Sequence, residues 1–267
     1  MTKKIGFIGA GNMAGAIIGA ILKKNIAIPA DLYICNRSKE KCLRFKDMGL
    51  NIVNDIEELV TLSDIIFLAV KPQDYEKVLI ELKTSLNNNK ILVSFAAGIS
   101  TNYIKEIVGF NCKVVRAMPN TPILLGEGAT ALCNCDPLTG DEFNSVKAIF
   151  EAGGVAVVLP EDKMNAIIAV NGSSPAYVYL FAKAVIDGAV EQGIDKETAK
   201  ILFCKTLIGS AEMLTKSGKS PEELITMVAS PGGTTLKALE ALYEHKVETA
   251  IIDAMERCTK RAEEIGK

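Results

Sequence analysis

Up to about residue 160 the chain alternates short apolar runs of strand type with stretches of helical periodicity, and after Pro160 no strand-like run occurs again. Strands and helices alternating at a spacing of roughly 20–30 residues predict a doubly wound sheet with ligands beyond the carboxyl ends of its strands. The strand-type runs are residues 4–9, Leu32–Cys35, 64–70, 90–95 and 112–116. The third is apolar on both faces, as expected in the middle of a parallel sheet. Ser38 is the expected N-cap of the helix after the second run. Thr139-Gly140-Asp141-Glu142 has the form of a capping box opening a helix to about Ala152, and residues 155–159 complete the pattern as an edge strand. Beyond Pro160 the periodicity is helical, with Ser220-Pro221-Glu222-Glu223 as a second box carrying proline at the first helical position. Two interruptions stand out there: Gly172-Ser173-Ser174-Pro175 inside an apolar helix, and Ser230-Pro231-Gly232-Gly233-Thr234-Thr235 between helices.

Composition narrows the function classes. With 49% hydrophobic residues the 267-residue chain is not disordered, and a formal net charge of −2 gives no signal for nucleic acid or an anionic membrane. Its single histidine, His245, lies in the polar stretch Tyr243-Glu244-His245-Lys246 and reads as a solvated surface residue. A two-histidine metal site cannot be built, and no metal site is expected. The seven cysteines are scattered without a CxxC pair and read as reduced, mostly buried thiols. Cys133 and Cys135 share one face of a strand but are poorly placed to join each other. Lys3-Lys4 followed by an apolar stretch imitates a secretory signal, yet five glycines within residues 5–22 and Lys23-Lys24 after it do not suit one. The expected location is cytoplasmic.

The first strand ends in Gly9-Ala10-Gly11-Asn12-Met13-Ala14, a GxGxxA turn that opens a helix. In that setting Gly9 permits the tight turn, Gly11 admits a pyrophosphate to the helix N-terminus, and Ala14 allows close helix–strand packing. The alternative is a packing turn without a ligand. Residues 1–160 are therefore expected to form an α/β, Rossmann-type dinucleotide-binding domain, and residues 161–267 an all-α domain. At the end of the second strand stand Asn36-Arg37-Ser38, with no carboxylate to accept from ribose hydroxyls. A guanidinium with two small polar groups suits a 2′-phosphate, so NADPH is favoured with NADH possible.

The chain resembles pyrroline-5-carboxylate reductase across essentially its full length. The matching motifs are Phe7-Ile8-Gly9-Ala10-Gly11-Asn12-Met13, Ala69-Val70-Lys71-Pro72-Gln73, Ala96-Ala97-Gly98-Ile99 and Arg116-Ala117-Met118-Pro119-Asn120-Thr121-Pro122. In the second half they are Gly172-Ser173-Ser174-Pro175-Ala176-Tyr177 and Ser230-Pro231-Gly232-Gly233-Thr234-Thr235. Ser174 stands where the family usually has glycine, and Ala229 where it often has threonine or serine. The resemblance implies hydride reduction of (S)-1-pyrroline-5-carboxylate to L-proline, the last step of proline biosynthesis. It implies that Ser230, Gly232, Gly233, Thr234 and Thr235 bind the substrate, with Thr235 as the catalytic hydrogen-bond partner of the ring nitrogen. The cofactor set expected with it is Gly9, Gly11, Asn12, Met13, Asn36, Arg37, Ser38, Asn54, Ala69, Val70, Lys71, Pro72, Ala96 and Ala97. Family members form dimers through interlocked helical domains, often arranged into decamers, so each site would use both subunits.

The residue inventory suits that chemistry. No arginine occurs between Arg116 and Arg257, so the backbone N–H groups exposed where Pro231-Gly232-Gly233, followed by threonines, opens a helix are the candidate grip on a small carboxylate. A cyclic imine carries its own proton and accepts hydride without a strong enzymic acid, whereas a ketone needs a proton donor. Asn120 reads either as a loop anchor or as a substrate contact. Two other readings compete with it. A 3-hydroxyacid dehydrogenase-like oxidoreductase needs a lysine soon after a glycine-asparagine motif, and here Lys163 and Lys183 lie about two turns or more away. A non-catalytic NADPH-sensing protein would not need residues 230–235 intact.

Overall fold

The computed structural model describes residues 3–109, 111–135 and 137–266; the outermost ends of the two expected domains, residues 1–2 and 267, lie outside them. β1 (Ile5–Ile8), α1 (Asn12–Lys23) and β2 (Leu32–Cys35) open the chain. The short α2 (Leu43–Asp47), the two-residue β3 (Asn51–Ile52), α3 (Ile56–Leu62) and β4 (Ile65–Leu68) follow. Then come α4 (Tyr75–Leu82), β5 (Ile91–Ser94), α5 (Thr101–Val108) and β6 (Lys113–Met118). β7 (Gly128–Cys135), α6 (Gly140–Glu151) and β8 (Gly154–Val158) complete an eight-stranded sheet of order β3-β2-β1-β4-β5-β6-β7-β8.

From β3 to β6 neighbouring strands are parallel, and β7 pairs antiparallel with β6. The doubly wound sheet is as expected; the reversal at β7 and the existence of β3 are not visible in apolar periodicity. β1, β4 and β5 are buried throughout because each packs on both faces. Ile5, Phe7, Ile65 and Phe67 join the core on one side, and Ile8, Ile66 and Leu68 join the core on the other. The Phe7 and Phe67 rings stack with centroids 4.6 Å apart.

Both capping boxes form. Thr139 and Glu142 cap α6, and Ser220 and Glu223 cap α9 (Pro221–Val228). Ser38 departs from expectation. It precedes a 3-10 turn, Lys39–Cys42, rather than an α-helix, and its side chain caps nothing; its carbonyl accepts from Asn36 Nδ2 at 2.8 Å.

The remaining helices are α7 (Ser174–Glu191), α8 (Lys196–Lys216), α10 (Thr234–Glu244) and α11 (Val247–Ile265). Pro175 was expected inside a helix. Instead a π-helical turn, Ile168–Gly172, ends just before it, and Pro175 falls in the first turn of α7, where a missing N–H costs nothing. The chain divides into two compact units, one running to Ser173 and resuming at Glu256, the other Ser174–Met255. This division differs from the texture change at residue 160 because the Glu161–Lys163 and Ile168–Gly172 turns sit against β7. No helix among the described residues is long and apolar enough to cross a membrane.

Candidate active site

In the first unit the register sets Ile8, Leu68 and Ser94 level, so β1, β4 and β5 end together. The segments carrying Gly9–Met13, Ala69–Pro72 and Ala96–Ala97 therefore emerge side by side at one edge of the sheet, as the doubly wound plan requires. Gly9 has φ of 113°, and a Cβ there would lie 2.3 Å from the Ala69 carbonyl oxygen. Its glycine is thus demanded by the chain itself. Gly11 differs: a Cβ there would meet nothing within 4 Å. Packing gives no reason for that glycine, whereas a pyrophosphate approaching the α1 N-terminus does. Gly11 is also the N-cap of α1 and supplies no side-chain acceptor. Ala14 is 1% exposed, in accord with its expected packing role. These residues fit a dinucleotide.

At the end of β2, Asn36 bridges the two turns: its Oδ1 accepts from the Ala10 N–H at 3.2 Å. Arg37 and Ser38 are exposed, and Arg37 has no ion-pair partner among the described residues. Asn54, beyond β3, is held by Glu58 Oε2, which accepts from its backbone N–H at 2.9 Å.

Two residues missed in the sequence brace this edge. Arg44 Nη2 donates to the carbonyls of Ala10 and Gly11 at 2.9 and 3.0 Å, clamping the glycine turn from α2. Buried Tyr75 donates from its hydroxyl to the Leu68 carbonyl at 2.9 Å and lies 3.1 Å from Ser94 Oγ, tying β4 to β5. Burial pushes its pKa up to about 12, so it is a neutral structural hydroxyl. Neither contact has a local sequence signal.

Asn120 resolves as an anchor. It is 8% exposed, its Oδ1 accepts from the Ala129 N–H at 2.9 Å, and its Nδ2 donates to the Asn171 carbonyl at 3.1 Å. Asn171 Nδ2 in turn donates to the Met118 carbonyl at 2.7 Å. Met118 is buried as well.

In the second unit, residues 230–235 form an exposed turn into α10. Gly232 has φ of 72°, in the left-handed region that favours glycine, and Gly233 is the N-cap without a side-chain acceptor. Other helices are capped differently. Asp55, Ser100, Thr139, Asp195 and Ser220 each accept an N–H at the start of α3, α5, α6, α8 and α9. At α10 the first N–H groups and the positive end of the helix dipole remain available to an anion.

Comparison with known proteins shows the family. Residues 161–265 match the family model described as pyrroline-5-carboxylate reductase dimerisation, and residues 4–98 match that described as NADP oxidoreductase coenzyme F420-dependent. Pyrroline-5-carboxylate reductase of Escherichia coli K12 is 38% identical over 268 residues, covering 100% of both chains. The chain belongs to the pyrroline-5-carboxylate reductase family. Pyrroline-5-carboxylate reductase 2 of Bacillus subtilis is also 38% identical, over 98% of this chain and 95% of its own. The crystal structure of the Plasmodium falciparum family member with NADP bound superposes with a TM-score of 0.93 at 34% identity, covering 99% and 98% of the two chains.

Within this family frame the lysines of the rival chemistry are engaged elsewhere. Lys163 pairs with Asp162 at 2.9 Å and Lys183 with Asp187 at 2.6 Å, both on the surface. The departures from the family pattern are structurally mild. Ser174 is the first residue of α7, and Ala229 is the C-cap of α9.

Proposed function

We propose that the chain reduces (S)-1-pyrroline-5-carboxylate to L-proline, with NADPH as preferred reductant and NADH as a weaker one. The observation that carries this reading is the α10 entrance, an exposed turn with Gly232 at positive φ and no side chain capping the helix N–H groups. Membership of the family supports the reaction, and NADP in the P. falciparum relative supports the cofactor class. When bound, NADPH supplies the hydride that the imine carbon accepts, and the nicotinamide is oxidised in exchange.

The chain's part is to hold and orient. Gly9, Gly11, Asn12 and Met13 present the α1 N-terminus to the pyrophosphate. Asn36, Arg37 and Ser38 receive the 2′-phosphate, and no carboxylate stands among them to repel it. Asn54, Ala69, Val70, Lys71, Pro72, Ala96 and Ala97 line the cofactor's path along the strand ends. Ser230 and the N–H groups of Gly232, Thr234 and Thr235 grip the substrate carboxylate, and Gly233, whose N–H donates to the Ser230 carbonyl at 2.9 Å, sets the turn that presents them. The Thr235 hydroxyl hydrogen-bonds the ring nitrogen. Because the iminium already carries its proton, no histidine or lysine acid is needed there.

Residues 1–160 serve as the dinucleotide-binding part and residues 161–267 as the dimerisation and substrate part. The dimer is interlocked through the helical units and assembles further into a decamer. A cytoplasmic location accords with seven free thiols, four of them buried. The test is NADPH oxidation followed at the nicotinamide absorbance band. Substrate-dependent oxidation yielding L-proline, faster with NADPH than NADH, is expected; no oxidation with this imine would overturn the reading.

A further inference from the structure

Outside the residues assigned to cofactor and substrate, though in one apolar cluster with Ala97, β7 carries Cys133 and Cys135 on one face. Their sulfurs were expected to be poorly placed to join; they stand 3.2 Å apart as free thiols. Cys135 Sγ is 3.7 Å from Glu161 Oε2, and the ligand atoms of all three residues lie within 4.8 Å of one another.

We propose that Cys133, Cys135 and Glu161 form a site for a soft divalent cation of the zinc class. Four observations support it. Two thiolates and a carboxylate are the donor types that zinc takes. A tetrahedral ion with Zn–S of about 2.3 Å holds two sulfurs on the order of 3.8 Å apart, so the pair needs only a small sideways opening to admit it.

The third observation is the support behind the carboxylate. Glu161 is fixed by the Thr101 N–H at 2.7 Å and the Thr101 hydroxyl at 2.6 Å, an outer layer of the kind that orients metal ligands. The fourth is charge. Arg116, 3% exposed, pairs with Glu161 at 3.5 Å and lies opposite Cys133 in the β6–β7 register. With both thiols protonated the four side chains sum to zero. A divalent cation that displaces the two thiol protons leaves the sum at zero, so neither state buries an unbalanced charge. The Arg116 Nε–H is buried with no hydrogen-bond partner among the described residues, and the guanidinium offers a positive charge across the strand pair from a Cys133 thiolate. Cys135 and Glu161 are part-exposed, which leaves one side for a water as fourth ligand. The ion would tie β7 to the Glu161–Lys163 turn that follows β8.

The test uses the full chain, stripped with a chelator, kept reduced with a phosphine and titrated with cobalt(II). One cobalt per chain is expected, with a sulfur-to-cobalt charge-transfer band in the near ultraviolet that one equivalent of zinc bleaches. Cys133→Ser and Cys135→Ser each abolish the band, Glu161→Gln weakens cobalt binding at least about tenfold, and Cys204→Ser leaves both unchanged. Absence of the band, or its survival in both cysteine variants, overturns the proposal. So does a two-hydrogen mass loss in air with no metal uptake, which marks a disulfide instead. Crystals of the unaltered chain grown with zinc give a reading independent of variant folding. An anomalous peak among the three residues supports the site, and a peak only elsewhere or none at all refutes it.

Discussion

Two helices in this chain begin at a bare glycine, and their surroundings could hardly differ more. The α1 entrance is braced on several sides: Gly9 against Ala69, Asn36 against Ala10, Arg44 against two carbonyls, and all of it at strands β1, β2 and β4, buried on both faces. The α10 entrance belongs to a unit in which Ala199 is the one buried apolar residue among those described. In the same unit Leu180, Phe181, Leu202 and Val228 are 50–68% exposed. Fully burying a side chain of that size is worth about 1.5–3 kcal/mol, and each of these leaves a large part of that ungained. The first site is therefore preorganised by its own chain. The second unit needs its helices covered, which agrees with the dimerisation model that matches residues 161–265.

The sharpest way to break this contrast is to charge the uncovered helices. Phe181→Glu combined with Leu202→Glu should dissociate the assembly in sedimentation. Turnover should fall by about 100-fold or more, because the second unit loses the apolar cover it depends on. NADPH affinity, read by fluorescence titration, should stay within a few-fold of the parent's. Parallel loss of cofactor binding would show that the two entrances are not independent.

A smaller effect is expected from Thr235→Ala. Removing a hydrogen bond to a charged ring nitrogen should lower kcat on the order of 10- to 100-fold while leaving NADPH binding intact. Normal turnover would remove the role proposed for that hydroxyl. The smallest effect is expected from Arg37→Ala. Because Arg37 is exposed, the KM for NADPH should rise about tenfold, with that for NADH unchanged. Equal changes for both cofactors would show that Arg37 does not read the 2′-phosphate.

What could be read from sequence follows the range of the interactions involved. The capping boxes at Thr139 and Ser220 are four-residue signals and were legible as such. So were strands with apolar residues on both faces, and the Gly9–Ala14 turn with a strand before it and a helix after. Features set by distant partners were not. Pro175 looks like a helix interruption because nothing local in the sequence marks that a π-helical turn ends at Gly172 and a new helix begins at Ser174. Asn120 could not be assigned because its partners, Ala129 and Asn171, lie in other elements. Arg116 closes the strand-type run 112–116, and nothing local shows that it is buried against Glu161 and donates to Asn165 Oδ1 at 2.5 Å. Burial works to raise the Glu161 pKa, but the Thr101 hydrogen bonds and the Arg116 charge outweigh it and hold the carboxyl below its ordinary range. At residues 230–235 the pattern announced a turn; that its helix starts uncapped became evident only beside the capped ones.

The most direct measurement is a crystal structure of the chain with L-proline bound. The account predicts the product's carboxylate within hydrogen-bonding distance of the main-chain N–H groups at the start of α10, with the ring nitrogen facing the Thr235 hydroxyl. Proline held elsewhere by a lysine side chain, with those N–H groups left to water, would contradict it.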